Sequence, residues 1–434
     1  MITAFVRAFR TPDLRNKLIF TLAIMALFRL GSVIPSPGVS YKNVSCSLSE
    51  TGTAGGLYGL VNLFTGGALL QLTIFALGIM PYITSSIIIQ LLGVVIPRFE
   101  ALRKEGQSGT SRLTQYTRYL TIALAVLQSS VLVATARSGN LFGSVGDKCG
   151  PIIPDRSIAT MIIMVLVMTA GTGVIMWLGE LITDRGVGNG MSILIFTSIA
   201  ARFPSSLWAI RKVNGWFPFA VVMTAGLALV AAVVFVEQAQ RRVPVQYAKR
   251  MVGRRMYGGT STYIPIKVNQ AGVIPVIFAS SLLYIPALVA NVTHSQSGWA
   301  NWINTNFTRG DHPVYMLTYF LLIIFFTYFY VSITFNPEEI ADNMKQYGGF
   351  IPGIRAGRPT AEYLQYVLSR ITLPGSLYLG VVALIPMIAI VMIGANQSFP
   401  FGGTSILIVV GVGLETAKQI ESQLQQRNYE GFLR

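Results

Sequence analysis

The sequence predicts an all-α integral membrane protein with about ten transmembrane helices. Composition, the length of the apolar blocks and the placement of the basic residues support this fold class. Hydrophobic residues make up 52% and charged residues 12% of the 434 residues, against roughly half and a quarter in soluble proteins. The apolar residues fall into long blocks, and a helix needs about 17–25 apolar residues to cross a hydrocarbon core of about 30 Å. An ordinary soluble domain is therefore excluded.

Ten apolar blocks follow one another along the chain. The first comes after a basic amino terminus, which is also the pattern of a secretory signal. No small-residue cleavage site follows it, and further blocks come later, so we expect a retained helix. The fifth block is short and its ends are poorly marked. The ten predicted spans are residues 18–34, 69–96, 119–136, 158–179, 190–203, 216–236, 268–291, 313–335, 371–393 and 398–416.

The basic residues predict the orientation of these spans. Of the 33 Lys and Arg residues, 24 lie on the side that carries both termini and eight on the other side, among them Arg202. The remaining one, Arg29, lies inside the first span. Because cytoplasmic segments carry the excess of basic residues, both termini are predicted to be cytoplasmic. The net charge of +16 therefore reflects membrane topology rather than nucleic-acid binding.

Two cysteines, Cys46 and Cys149, fall in loops on the outer side. That compartment permits disulfide bonds. The spacing does not show whether the two loops meet, so a bridge and two unpaired thiols both remain open.

The predicted spans contain few groups that could do chemistry. Ion-coupled transporters usually carry ionisable groups at mid-membrane, because these groups bind and release the coupled ion. The two histidines, His294 and His312, lie in an outer loop. The sequence has no HExxH, phosphate-loop or GxSxG motif and no cluster with metal-ligand spacing. We therefore expect neither an enzyme nor a cofactor-binding protein.

Arg29 has two interpretations. The structural one is snorkelling, or a buried bond to backbone carbonyls near the outer end of the first span. The functional one is a fixed charge that faces a water-filled cavity. We favour the structural interpretation.

Residues 52–67 read GTAGGLYGLVNLFTGG, and six of these sixteen residues are glycine. Between the glycine clusters lies an apolar stretch, Leu57 to Phe64, which is too short to cross a membrane. Glycines allow bends at both ends. Such a short helix is tolerated at membrane depth only where protein buries it or where it lines a cavity. The residues alone fit equally well an interfacial loop and a re-entrant stopper.

The seventh span begins with the sequence KVNQAGVIPVIFASSLLYIP, whose glycine and prolines predict a bent helix. Three amide or hydroxyl side chains lie at membrane depth: Thr84 in span 2, Gln128 in span 3 and Asn269 in span 7. A polar contact between such helices contributes about 0.6 kcal/mol on average. It suits a movable seam, although ordinary helix packing uses the same contacts.

Two cytoplasmic loops are unusual. Loop 237–267 holds seven Lys or Arg residues against one Glu, and its YGGT sequence predicts a hairpin. Its Arg254 and Arg255 suit phosphate or carboxylate partners. Anionic lipid headgroups would attract the same loop, but a stiff projection favours a macromolecular partner. Loop 336–370 presents Arg355 and Arg358 on a Gly/Pro-rich turn and has four basic and four acidic residues.

Six motifs in the same order resemble the SecY family, the large subunit of the bacterial protein-conducting translocon. The resemblance runs essentially end to end. The motifs are RLGSVIPSPG at 29–38, FALGIMPYITSSIIIQLL at 75–92, GELITDRGVGNGMSILIF at 179–196, RRVPVQYAKRMVGRR at 241–255, KVNQAGVIPVIFASS at 267–281 and FGGTSILIVVGVG at 401–413.

The resemblance implies two pseudo-symmetric halves of five helices, residues 1–203 and 204–434, around a central hourglass pore in the plasma membrane. It further implies a passive channel that translocates unfolded polypeptides and releases transmembrane helices laterally into the membrane. A narrow apolar ring would dewet and so hold back ions. By motif position the ring residues are Ile79, Ile83, Met191, Ile195, Ile277 and Ile408. Met191 departs from the branched residue often found there and makes the ring softer.

The resemblance also assigns the other sites. Residues 55–67 would hold the plug, and Thr84, Gln128 and Asn269 would lie at the lateral gate. Arg254, Arg255 and Arg355 would dock the SecA motor or the ribosome. SecE and SecG would be the small membrane partners, substrates would carry signal sequences, and anionic lipids would surround the channel. The plug side chains would be Leu57, Tyr58, Leu60, Val61, Asn62, Leu63 and Phe64.

A secondary solute transporter is the alternative, because transporters also use repeats and broken helices. The lack of ionisable groups at the midplane argues against it. An intramembrane enzyme lacks even a candidate pair of catalytic residues.

Overall fold

The structure is a computed structural model. It describes residues 9, 11–51, 65–137, 150–155, 157–247, 250–252, 255–257, 261–293, 302, 306, 312–393 and 403–430.

The helices up to residue 214 form a first set. Several have defined starts: Pro12 opens the first helix, and Ser157 and Asn189 cap two later ones with their side chains, which satisfies backbone N–H groups that have no partner within the helix. The helices are α1 (Pro12–Gly31), α2 (Tyr41–Thr51), α3 (Met80–Val95), α4 (Pro97–Lys104), α5 (Gln107–Arg137), α6 (Ile158–Arg185) and α7 (Gly190–Asn214).

A second set of elements follows. Its helices are α8 (Trp216–Gln238), α9 (Ile274–Thr293), α10 (Pro313–Thr334), α11 (Pro337–Gln346), α12 (Arg358–Ile393) and α13 (Gly403–Glu430). Its strands are β1 (Gln240–Tyr247), β2 (Arg250–Val252), β3 (Arg255–Tyr257), β4 (Ser261–Lys267) and β5 (Gly349–Phe350).

Each of the ten predicted spans contains one of these helices, and the all-α membrane fold is confirmed. In the described residues, five helices are long and apolar enough to cross a membrane, or six if the bent pair α3 and α4 counts as one span. The others are shorter or carry charged ends. α5, α12 and α13 extend well beyond their predicted spans because hydropathy marks the membrane crossing and not the helix end.

The predicted second span, 69–96, is only partly helical, which corrects the sequence prediction. Residues 65–79 form consecutive turns, and the helix α3 begins only at Met80. Gly66, Gly67 and Gly78 have positive φ angles, which favour glycine. The segment is almost entirely buried, as non-helical backbone at membrane depth must be.

Contacts with neighbouring elements hold this turned segment. The backbone N–H of Ser36 donates to the Leu72 carbonyl at 3.0 Å, and that of Ile74 donates to the Ile34 carbonyl at 3.0 Å. Gly171 of α6 lies directly against the Ile74 carbonyl, where a Cβ atom would overlap. The turns therefore replace part of a helix because long-range contacts satisfy their polar groups.

The first and second sets of helices meet along two seams. At one seam α7 contacts α8 and α13, next to the covalent connection. At the other seam α9 contacts α3 and α5. Ile83, Ile87 and Leu91 of α3 pack there into the apolar core of the second set. This second seam has no chain connection in the described residues.

Both ends of the described chain lie on the same face. Leu14 and Leu18 near the start of α1 pack with Ile420 of α13 and with Val187 in the turn between α6 and α7. The distribution of basic residues predicts that this face is cytoplasmic, and we call it the cytoplasmic face.

The described residues of loop 237–267 form antiparallel strands, which agrees with the predicted hairpin. β1 pairs with β4 in antiparallel register from Gln240↔Lys267 to Gln246↔Ser261, and β5 joins at the other edge of β1. β2 pairs with β3, with Val252 opposite Arg255. The reversal between β2 and β3 therefore precedes the YGGT sequence, which corrects the predicted turn position.

Candidate functional site: an apolar waist and its cavity

One apolar cluster, which we call the waist, joins helices of both sets. It contains side chains of α1, α3, α6, α7, α9 and α13. All six residues predicted to form the ring belong to it. Four are at least nine-tenths buried, and two pack against it half-buried. The buried four are Ile79, Ile195, Ile277 and Ile408, and the half-buried two are Ile83 and Met191.

Helical spacing explains how two elements each contribute two side chains. Ile79 and Ile83 are four residues apart, and the Ile83 N–H donates to the Ile79 carbonyl at 3.1 Å. Met191 and Ile195 are also four residues apart in α7. Residues i and i+4 lie on the same helix face, so each pair presents two side chains to the waist.

The turn between α6 and α7 holds Met191 in position. Asn189 Oδ1 accepts hydrogen bonds from the Met191 and Ser192 N–H groups at 3.1 and 3.4 Å. Gly190 lies against the Gly179 carbonyl, where a Cβ would overlap, and the Met191 thioether lies where a Gly179 side chain would be. The glycines of the GELITDRGVGNGM motif thus allow α6 and α7 to approach closely.

A cavity of about 540 Å³ opens above the waist on the cytoplasmic side. Its floor is apolar and is formed by four ring residues: Ile83, Met191, Ile195 and Ile277. A second apolar wall faces the seam between the helix sets and includes Ile274, Phe278 and Tyr330 of α9 and α10.

The remaining wall of the cavity is polar. Arg118 of α5 forms a bidentate ion pair with Glu180 of α6, with Nε–Oε1 at 2.8 Å and Nη2–Oε2 at 2.7 Å. Asp184 and Asn189 lie on the same wall. The sequence reasoning missed this pair, although opposite charges at the same ends of adjacent spans were a usable signal.

On the outer side of the waist, two arginines approach the turned segment. Arg29 Nη1 donates to the Gly66 carbonyl at 3.0 Å and approaches Ser32 Oγ at 3.4 Å. The guanidinium of Arg202 lies beside Gly67, where a side chain would overlap it. The Arg29 bond is the one that the structural interpretation predicts.

The helix around the fifth predicted span is longer than that span, because α7 continues to Asn214. Arg202, which was predicted on the outer side, is half-buried in this helix and lies beside Gly67 on that side of the waist. The apolar block is short here because Arg202 ends the block but not the helix.

The three polar side chains predicted at the lateral gate do not bond to one another among the hydrogen bonds of the described residues. Thr84 donates to the Met80 carbonyl of its own helix at 2.8 Å. Asn269 donates to the Glu237 carboxylate and to the Gly272 carbonyl. Gln128 is half-buried on α5. The helices α3, α5 and α9 do meet at the second seam. The assignment of the three side chains to a lateral gate stays a prediction.

Several predicted residues lie outside the described part of the chain or only partly within it. The plug residues Leu57 to Phe64, together with Arg254 and Cys149, lie outside it, and for Arg255 only the backbone is described. Cys46 is disulfide-bonded. Asn43 Nδ2 of the same helix donates to the Pro151 carbonyl at 2.8 Å, so α2 reaches the segment next to Cys149. The Cys46–Cys149 pairing stays a prediction.

The described outer and cytoplasmic loops are locally ordered by hydrogen bonds. Asp155 accepts hydrogen bonds from the Thr160 hydroxyl and the Ser157 N–H, which lower the pKa of its carboxyl group. On the opposite face Arg355 is exposed, and its carbonyl accepts the Thr360 hydroxyl at 2.8 Å. The GIRAG turn thus leaves Arg355 exposed on the cytoplasmic face.

Comparison with known proteins identifies relatives along the whole chain. A model of the SecY family matches residues 73–417. The chain is 72% identical to the protein translocase subunit SecY of Streptomyces galbus and 60% identical to that of Mycobacterium bovis, and each alignment covers 100% of both chains.

Solved structures with the same fold are channels. One, described as a protein conducting channel, has a TM-score of 0.64 at 18% identity over 94% of this chain and 91% of that chain. Another is Sec61 in the canine ribosome-channel complex from the endoplasmic reticulum, with a TM-score of 0.60 at 17% identity and the same coverage. A third is a SecY protein whose plug domain is described as maintaining a membrane seal, with a TM-score of 0.60 at 18% identity.

Proposed function

The chain belongs to the SecY family and is a channel subunit of a protein translocase, and we propose that polypeptides cross it at the apolar waist. The observation that carries this proposal is the position of all six predicted ring residues in one cluster to which both helix sets contribute. The cytoplasmic cavity ends on four of them, so a chain that enters the cavity meets the ring next.

The physical basis of the proposed ring is exclusion of water. A constriction lined by aliphatic side chains dewets, and this raises the barrier for ions. Flexible side chains such as Met191 can still close around an extended polypeptide. The ring requires no covalent chemistry, and we propose a passive pore without catalytic activity of its own. Family membership supports this channel over the secondary solute transporter considered above.

We further propose the family's division of labour for the other sites. The halves 1–203 and 204–434 would move apart at the seam where α9 contacts α3 and α5, with Thr84, Gln128 and Asn269 as the gate. Residues 55–67 would form the plug. The Arg29 bond to Gly66 supports this, because it anchors the carboxyl-terminal end of that segment to α1.

The partners proposed here rest on family membership and on charge. A translocase subunit works in a translocon complex, and we propose SecE and SecG as its membrane partners. The exposed Arg355, together with Arg254 and Arg255, would dock SecA or the ribosome through charge-assisted bonds. The protein would lie in the plasma membrane among anionic lipids with both termini in the cytoplasm, and its substrates would be secretory and membrane proteins with signal sequences.

Photocrosslinking from the waist tests the proposed function. We would place a photoreactive amino acid at Ile83 or Ile277 and stall a secretory chain in membranes that contain the complete translocon. Both positions are expected to crosslink to the stalled chain. Leu166 of α6, which is 61% exposed on the outside of the helix bundle, is the matched control and should not crosslink.

One outcome of the photocrosslinking experiment would contradict the proposed function. If the stalled chain crosslinks to Leu166 as strongly as to Ile83 and Ile277, the polypeptide does not cross at the waist. Counterflow of a small solute in proteoliposomes without export partners would favour the transporter alternative instead.

A further inference from the structure

One hydrogen bond crosses between the two helix sets at the cytoplasmic face. Arg103 Nη2 in α4 donates to the backbone carbonyl of Ile333 in α10 at 3.1 Å. Arg103 lies in the first set and Ile333 in the second, and 230 positions separate them. In the described part of the chain, no carboxylate pairs with Arg103, so its contact with Ile333 is not a by-product of an ion pair.

The Ile333 carbonyl has no backbone N–H partner within its helix, and the sequence explains why. In a continuous helix it would accept the N–H of residue 337, four positions later. Residue 337 is proline, which has no N–H, and α10 ends at Thr334. The last carbonyls of a helix also carry partial negative charge, which favours a cation. Arg103 supplies both the missing donor and the charge.

Packing fixes α4 on the first helix set. The chain bends by 105° between α3 and α4, so α4 lies across the cytoplasmic face rather than extending α3. Leu102 is buried, and its carbonyl lies directly against Gly109 of α5, where a Cβ would overlap. Because α4 cannot easily move relative to α5, the Arg103 bond links the first helix set to the end of α10.

The bond lies at the end of the seam between α3 and the second set. Along that seam Ile87 packs with Phe278 and Phe326, whose rings are 5.7 Å apart in an edge-to-face arrangement. Separation of α3 from α9 and α10 would carry α4 away from the α10 terminus. It would therefore break the bond from Arg103 to Ile333.

We propose that Arg103 is a positioning residue that holds the cytoplasmic end of the lateral gate closed through the Ile333 carbonyl. This inference rests on the proposed function of the seam as the gate. The side chain is exposed, so an anionic group of a macromolecule on the cytoplasmic face can compete for the guanidinium and release α10.

Distance measurements across the seam test the inference. Nitroxide labels would be attached at Val95→Cys and Ser332→Cys, both exposed, in the complete complex in lipid nanodiscs. Reductant would be omitted because Cys46 is disulfide-bonded. Arg103→Met removes every donor and keeps an unbranched side chain. We expect the population with the longer label distance to rise about two- to tenfold, since one hydrogen bond is lost.

Two further variants keep the experiment decisive. Arg98→Met, in the same helix and exposed, removes the same charge without this bond and should leave the distances unchanged. Arg103→Lys covers the case in which Arg103→Met does not assemble, and it should shift the distances in the same direction but less. If Arg103→Met, or failing that Arg103→Lys, matches Arg98→Met, the inference is wrong.

Export measurements separate this inference from the proposed function. Arg103→Met should raise export of a substrate with a shortened apolar signal segment relative to one with an intact signal. A general folding defect would lower both. If the wild-type complex exports neither substrate, the proposed function fails. If it exports the intact one and Arg103→Met does not change the ratio, only the role of Arg103 fails.

Discussion

The two sides of the apolar waist are built in opposite ways. On the cytoplasmic side a cavity reaches the ring, and one of its walls carries the Arg118–Glu180 ion pair, whose side chains are 45% and 23% exposed. On the outer side the turned segment 65–79 is packed into protein, and Leu70 and Leu72 are fully buried. Water therefore approaches the ring from the cytoplasmic side, and packing supports it from the outer side.

This difference predicts where the resistance to opening resides. A solvated ion pair contributes little stability, with about 0–1 kcal/mol as the usual range. Close packing is more sensitive, because even one added methyl group in a filled core can cost about 1–3 kcal/mol. We expect substitutions at the ring and at the turned segment to change the seal strongly, and substitutions in the cavity wall to change it weakly.

The largest effect on the resting ion conductance is expected from substitutions in the ring. Ile408 is 1% exposed, and Ile408→Asn would bury an amide without a partner, at a cost of about 1–3 kcal/mol in the closed state. The resting ion conductance in planar bilayers should rise about tenfold or more, because a free-energy difference of about 1.4 kcal/mol changes a population tenfold. Ile408→Leu keeps an apolar side chain of the same size, so its resting conductance should equal that of the wild type. Equal conductance of the two variants would remove Ile408 from the ring.

The sequence predicts the structure on one side of the waist better than on the other. The ten spans follow from hydropathy, and the ring residues follow from motif resemblance. The turns at 65–79 do not, because residues such as Leu69, Leu70 and Leu72 suit a buried helix equally well. Contacts with Ser36 and Gly171, distant in sequence, decide their conformation. The same limit hides the Arg103–Ile333 bond, since no local pattern connects positions 103 and 333.

The second largest effect on the seal is expected from a change in the packing of the turned segment. Gly171 of α6 contacts the Ile74 carbonyl, and Gly171→Ala would place a methyl group on that oxygen. We expect the free energy of unfolding to fall by about 1–3 kcal/mol and the resting conductance to rise severalfold. Thermal unfolding of the purified complex and bilayer recordings measure the two quantities.

A matched control lies two residues further along the same helix. A Cβ on Gly173 would meet only the Ile122 side chain at 3.9 Å. Gly173→Ala should therefore be neutral, or stabilise by up to about 1 kcal/mol through helix propensity. If Gly171→Ala behaves like Gly173→Ala, the turned segment does not support the waist by close packing.

The smallest effect is expected in the cavity wall. Arg118→Met breaks the ion pair with Glu180, yet both groups can be solvated from the cavity, so the free energy of unfolding should fall by less than about 1 kcal/mol and the resting conductance should not change. Glu180→Gln and the double variant complete a cycle that isolates the pair from other effects of each change. The coupling energy should shrink further in high salt because ions screen exposed charges. A coupling of several kcal/mol that salt does not reduce would show that this wall is as dry as the outer side, and the contrast between the two sides of the waist would not hold.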